Sequence, residues 1–161
     1  MTSQASAARP GCRPGAKGPP YDIPVADSGY AWWYVDGVSD DGELGVTIIA
    51  FVGTVFSTRY ALARRAQGLV DPMDYCALNV VVYRPRGKLW AFTEWPRAAI
   101  RRSAERIEIG PNSMGWQGDD LVVRFDERTA PFGGRLRGQV TLRPALRFAS
   151  PFDLDAAGRH R

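Results

Sequence analysis

Two carboxylates in this chain each close an aromatic run: Asp36 follows Trp32-Trp33-Tyr34-Val35, and Glu94 follows Trp90-Ala91-Phe92-Thr93. Successive side chains of a strand point to opposite faces. The spacing therefore predicts Trp32, Tyr34 and Asp36 along one face with Trp33 and Val35 on the other, and Trp90, Phe92 and Glu94 on a shared face. An acid at the rim of an aromatic wall suits proton chemistry on a long apolar ligand. Apolar surroundings favour the neutral carboxyl, and aromatic faces stabilise a cation. Glu94 and Asp36 are the candidate catalytic residues, and Trp32, Trp33, Tyr34, Trp90, Phe92 and Asn79 the candidate ligand-binding ones.

Each has a plainer reading. The aromatics could simply fill a core, Asp36 could be a solvated strand end before Gly37, and Glu94 could pair with Arg97 or Arg101. Asn79 interrupts the apolar run Ala77-Leu78-Asn79-Val80-Val81-Val82, and an amide there is expected to bond across the sheet rather than to an attacking water. Asp126 two residues after Arg124 reads as an ion pair on a solvated face. Cys76, with no histidine nearby, is expected to pack as a small apolar residue.

Other chemistries lack their residues. The single histidine, His160, lies in a terminal Arg-His-Arg, so neither a metal set nor a Ser-His-Asp or Cys-His nucleophile is supported, and no cofactor is expected. Two cysteines, Cys12 and Cys76, form no disulfide framework, which points to a reducing, cytoplasmic setting. A formal charge of +4 is a mildly basic surface. Nucleic acid is not expected as a partner, because the tryptophans are flanked by Val, Ala and Phe rather than by basic residues. The longest apolar stretch, Val46 to Phe56, is about half of a membrane span.

The elements that must position these groups are mostly strands. Residues 1–20, built from Ala, Ser, Gly, Pro and Arg, read as a disordered leader, and a β domain is expected over 21–161. Strand-like runs recur between turn signals: 30–36, 44–56, 75–83, 90–94, 106–109, 113–117, 121–126 and 136–142. Turns this frequent predict an antiparallel sheet or barrel. One segment departs from the pattern: Ser57 as N-cap, helix formers, and Gly68 as terminator predict a short helix near 57–67. Its Arg59, Arg64 and Arg65 could meet anionic headgroups at a membrane surface.

Three separated blocks go further: 29–36 (GYAWWYVD), 44–57 (LGVTIIAFVGTVFS) and 76–80 (CALNV), with Thr93-Glu94 following. Together they resemble the carotenoid 1,2-hydratases, also called hydroxyneurosporene synthases, from about Tyr21 onward. The resemblance implies a mainly β, lipocalin-like antiparallel barrel or sheet. It also implies cofactor-independent addition of water across the terminal 1,2 double bond of an acyclic carotenoid of the neurosporene or lycopene type. The location implied is cytoplasmic, peripheral to the cytoplasmic or photosynthetic membrane. Members of that family are longer, so this chain matches an N-terminal half, and its partner could be the missing C-terminal half in trans. The competing expectation is a non-catalytic carotenoid- or isoprenoid-binding module, or an inactive fragment. Tyr75, where the family tends to histidine, and Trp95-Pro96, where it tends to an Arg-Gly turn, depart from the pattern.

Overall fold

A computed structural model describes residues 18, 20–131 and 133–145. The expected Cys12, His160 and most of the leader lie outside them. Within them the chain is mainly antiparallel β, as the turn spacing predicts. Strands β1 (Ala31–Val38), β2 (Gly45–Val52), β3 (Cys76–Arg84) and β4 (Gly87–Trp95) form one meander. Strands β5 (Ile100–Arg102), β6 (Arg106–Ile109), β7 (Asn112–Gln117), β8 (Asp120–Arg128) and β9 (Arg135–Leu142) form a second. Of the barrel or sheet expected, the structure has the sheet form, two packed antiparallel sheets, and no ladder joins β4 to β5 or β1 to β9 among the described residues. The loop after β8 reaches across through the backbone, where the Ala130 N–H donates to the Trp90 carbonyl at 2.8 Å.

Alternation builds the core between the sheets. From the first come Trp33, Val35, Ile48, Ala50, Val52, Cys76, Leu78, Val80 and Ala91, and from the second Ile107, Ile109, Met114, Val123, Phe125 and Leu136. Each fully buried aliphatic side chain contributes about 1.5–3 kcal/mol, so this layer accounts for most of the fold's stability.

The predicted helix is present as α1 (Thr58–Gln67). Ser57 Oγ accepts from the Tyr60 N–H at 3.0 Å, and Gly68 closes the last turn by donating to the Arg64 carbonyl. Tyr60, fully buried, ties α1 to the sheet by donating to the Gly29 carbonyl at 2.6 Å. The run read as a strand from 44 to 56 stops at Val52, because Gly53 takes φ +68 and donates to the Pro72 carbonyl. A Cβ on Gly53 would collide with the Gly29 carbonyl, so only glycine allows this turn toward α1.

Candidate functional site

The ladder register arranges the outer face of the first sheet in rows across β1, β2, β3 and β4. One row is Trp32, Phe51, Ala77 and Glu94; the next is Tyr34, Ile49, Asn79 and Phe92; the third is Asp36, Thr47, Val81 and Trp90. The sequence-predicted residues thus converge on one surface, with Trp33 as the exception. Trp33 is only 7 % exposed and stacks with Tyr21 at 5.2 Å between the sheets, so alternation makes it core rather than ligand contact.

This face is aromatic and open. Trp32, Tyr34 and Trp90 are 47 %, 57 % and 44 % exposed, and Tyr83 and Phe56 extend the same surface. Monomers seldom leave a contiguous apolar patch of this kind without a ligand or partner for it. The rings are held in place. Trp32 and Phe56 meet Phe51 edge-on at 6.0 and 5.5 Å and bury it. The Trp90 indole N–H donates to Asn79 Oδ1 at 2.9 Å, so the amide bonds across the sheet as expected and fixes the indole plane.

The two carboxylates stand at opposite corners. By strand spacing and rise they are roughly 20 Å apart, too far to act on one double bond together. Asp36 accepts from Thr47 Oγ1 at 2.6 Å and lines an open cleft of about 660 Å³ with Tyr34, Thr47, Tyr83 and Arg84. Glu94 is ion-paired, but with a residue from another element than anticipated. Arg59 of α1 donates from Nε to Glu94 Oε2 at 2.9 Å, with Nη2 at 2.7 Å from the same oxygen, while Nη2 donates to the Asp74 carbonyl. The Arg59 guanidinium lies over the Tyr75 ring at 4.4 Å. Of the two anticipated partners, Arg97 bonds Asp71 and holds its carboxyl below the usual range, and Arg101 lies on the second sheet. Arg59 is therefore committed to the sheet rather than presented to a membrane.

A further carboxylate was not read from the sequence. Glu127, only 4 % exposed, accepts from Thr93 Oγ1 at 2.5 Å, Trp95 Nε1 at 3.2 Å and Asn112 Nδ2 at 2.6 Å. It joins β4 to β7 and β8 through the core. The signal was present: Val123, Phe125 and Glu127 share a face, and the strand continues past Asp126, where the sequence reading ended it. Asp126 itself pairs with Arg135 across the ladder at 2.8 and 2.6 Å rather than with Arg124, which bonds Gln139. Cys76 is buried as expected, and desolvation pushes its thiol up to about 12. No group of three His, Cys, Asp or Glu that could hold a metal occurs among the described residues.

Comparison with known proteins bears on this surface. Residues 48–161 match the family model described as carotenoid hydratase CrtC. The acyclic carotenoid 1,2-hydratase of Thiocapsa roseopersicina is 46 % identical over 151 residues, 94 % of this chain and 37 % of that protein. The acyclic carotenoid 1,2-hydratase of Rubrivivax gelatinosus is 46 % identical over 144 residues, 89 % of this chain and 36 % of that protein. The one from Cereibacter sphaeroides is 36 % identical over 98 residues. This chain spans little more than a third of the length of the first two. No solved structure matches.

Proposed function

The chain belongs to the carotenoid hydratase CrtC family, and from that premise we propose that the outer face of its first sheet holds an acyclic carotenoid for hydration at the terminal 1,2 double bond. The observation that carries this reading is the convergence of Trp32, Tyr34, Trp90 and Phe92 on one exposed face with a carboxylate at each of two corners. A rigid polyene gains most from a flat row of rings, whose burial is worth more than their number in isolation suggests.

The chemistry asked of the carboxyl is general-acid catalysis. Protonation at C2 consumes the π electrons and leaves a tertiary cation at C1, onto which a water oxygen closes. The conjugate carboxylate then takes the proton that the water loses, so one water is added and the acid is restored. Asp36 opens onto the cleft beside Tyr34 and Tyr83, which suits the end group of the polyene; Glu94, through Arg59, anchors α1 at the other end of the face. No cofactor enters this scheme. A substrate dissolved in a membrane supports a location peripheral to that membrane, and the cysteine usage supports its cytoplasmic side; no described helix is long and apolar enough to cross one.

The second reading, a module that binds carotenoid without hydrating it, is favoured by the engagement of both corner carboxylates, Asp36 with Thr47 and Glu94 with Arg59. Incubating the chain with lycopene, alone and with the remaining part of a full-length relative supplied in trans, separates the two. We expect 1-hydroxy product only when both parts are present. Product from this chain alone would show that it is catalytically self-sufficient, and pigment binding with no product in either arm would favour the binding module.

A further inference from the structure

The outer face of the second sheet is as distinct as that of the first, but in charge. Alternation brings Arg101 of β5, Arg106 of β6, Arg124 and Arg128 of β8, and Arg135 and Arg137 of β9 to one surface. Three acids share it among the described residues, Glu108, Asp126 and Asp120, the last bonded by Arg143 just beyond β9. The six arginines of these strands thus exceed the acids of the face by three.

Internal pairing does not neutralise this face. Glu108 is taken by Arg106 at 2.9 Å and Asp126 by Arg135, with Arg137 at 4.0 Å from the same carboxylate. Arg101, Arg124 and Arg128 have no carboxylate within ion-pair distance among the described residues; Arg124 bonds the Gln139 amide and Arg128 the Gly133 carbonyl. Arg128 also sits directly across the ladder from Arg135. Like charges placed opposite each other on a sheet are destabilising, and an external anion removes that cost. The remaining residues of the face are Ser113, Gly115, Gln117, Val122, Gln139 and Thr141, with no aromatic ring among them. Single-stranded nucleic acid needs stacking platforms between its basic contacts, and here those rings lie on the opposite side of the sandwich. What remains is a flat array of guanidinium groups, suited to phosphates spread over a surface.

We propose that the outer face of β5–β9 docks on the anionic headgroups of a phospholipid bilayer, as a site separate from the aromatic face. The inference stands on the charge distribution and does not depend on the proposed hydration. Docking through this face leaves the aromatic face turned away from the headgroups, so anchoring and pigment binding are separable.

The test is co-sedimentation of the 161-residue chain with vesicles of phosphatidylcholine alone or with about one third phosphatidylglycerol, the lipid supplying the negative surface potential. Binding is expected to the anionic vesicles only, and to be lost in about 1 M salt, where the screening length is about 3 Å. Each of Arg101→Gln, Arg124→Gln and Arg128→Gln should weaken it about fivefold, and the three together on the order of a hundredfold. The triple Arg→Lys variant should retain binding and the double variant Arg64→Gln/Arg65→Gln should leave it intact. Carotenoid retention by the triple Gln variant should be unchanged, so failure of docking and failure of the hydratase reading are distinguishable. Equal binding to neutral vesicles, binding unaffected by the triple Gln substitution, or loss through the helix variant instead would overturn the proposal. So would oligonucleotide binding, tighter than vesicle binding, that depends on the same three arginines.

Discussion

Glu94 and Glu127 lie on opposite sides of β4. Glu94 faces out to Arg59, whereas Glu127 reaches β4 from inside, accepting from Thr93 and Trp95, the residues that flank Glu94. Glu127→Ala would leave Trp95 Nε1 without its acceptor in the core and Asn112 Nδ2 with the Ile109 carbonyl alone, and we expect a loss of about 3–4 kcal/mol in urea unfolding. Glu127→Gln should cost less, about 1–2 kcal/mol, since its oxygen still accepts both N–H groups and its NH₂ can donate to Thr93. Equal losses in the two variants would mean that shape alone matters there. Cys76 gives a pH signature of opposite origin. Its folded-state value, pushed up to about 12 by burial, lies above the ordinary thiol value. The stability contributed by the neutral thiol is complete below about pH 9 and is lost as pH rises toward about 12. Cys76→Ala should flatten that part of the alkaline unfolding profile, and an unchanged slope would assign the alkaline loss elsewhere. The inertness of Cys76 was legible because an apolar strand with no basic neighbour in sequence buries a thiol. The Glu127 cluster was not, because its partners come from three strands that only tertiary packing brings together.

At the scale of elements, the strands were readable wherever turn residues punctuated a β-rich run, and the helix wherever a capping serine and a closing glycine bracketed helix formers. Two elements resisted for physical reasons. Strand β5 has three residues and no period of its own to detect; it is held by pairing with β6. The run beyond Val52 looks like strand by composition, yet Gly53 turns the chain there. Gly53→Ala forces a side chain against the Gly29 carbonyl and Pro72 at a left-handed φ, and should destabilise the protein by more than about 2 kcal/mol in thermal or urea unfolding. A variant as stable as the parent would show that the β2–α1 connection can relax. The segment after α1 adds an acid-sensitive tie. Asp71 accepts from Arg97 and from the Met73 N–H, and its carboxyl is held below the usual range chiefly by Arg97. A depressed carboxylate contributes stability above its unfolded value, near 4, that is lost as pH falls through the folded one. The difference in urea midpoint between parent and Asp71→Asn should therefore shrink between pH 5 and pH 3.

For the molecule as a whole, the sequence told which residues alternate but not which face would be covered. Trp32 and Trp33 are adjacent, equally aromatic, and end on opposite sides of a sheet. Only the second sheet's position decides that Trp33 is core and Trp32 surface. The same packing sorts charge: alternation sets an arginine face on one side and an aromatic face on the other. Closure into a barrel, one of the two forms the lipocalin-like resemblance implies, would have enclosed a ligand between strands; two packed sheets, the other form, place the apolar surface outside. The central claim is that this outside surface holds the polyene. The direct measurement is the pigment retained on gel filtration after mixing the chain with detergent-dispersed lycopene, for the parent, Trp32→Ala/Trp90→Ala and Trp33→Phe. We predict pigment co-eluting with the parent and with Trp33→Phe, and at least about tenfold weaker retention by the double variant, as two ring–polyene contacts of about 1 kcal/mol each imply. Undiminished retention by a folded Trp32→Ala/Trp90→Ala variant, or loss through Trp33→Phe alone, would contradict it.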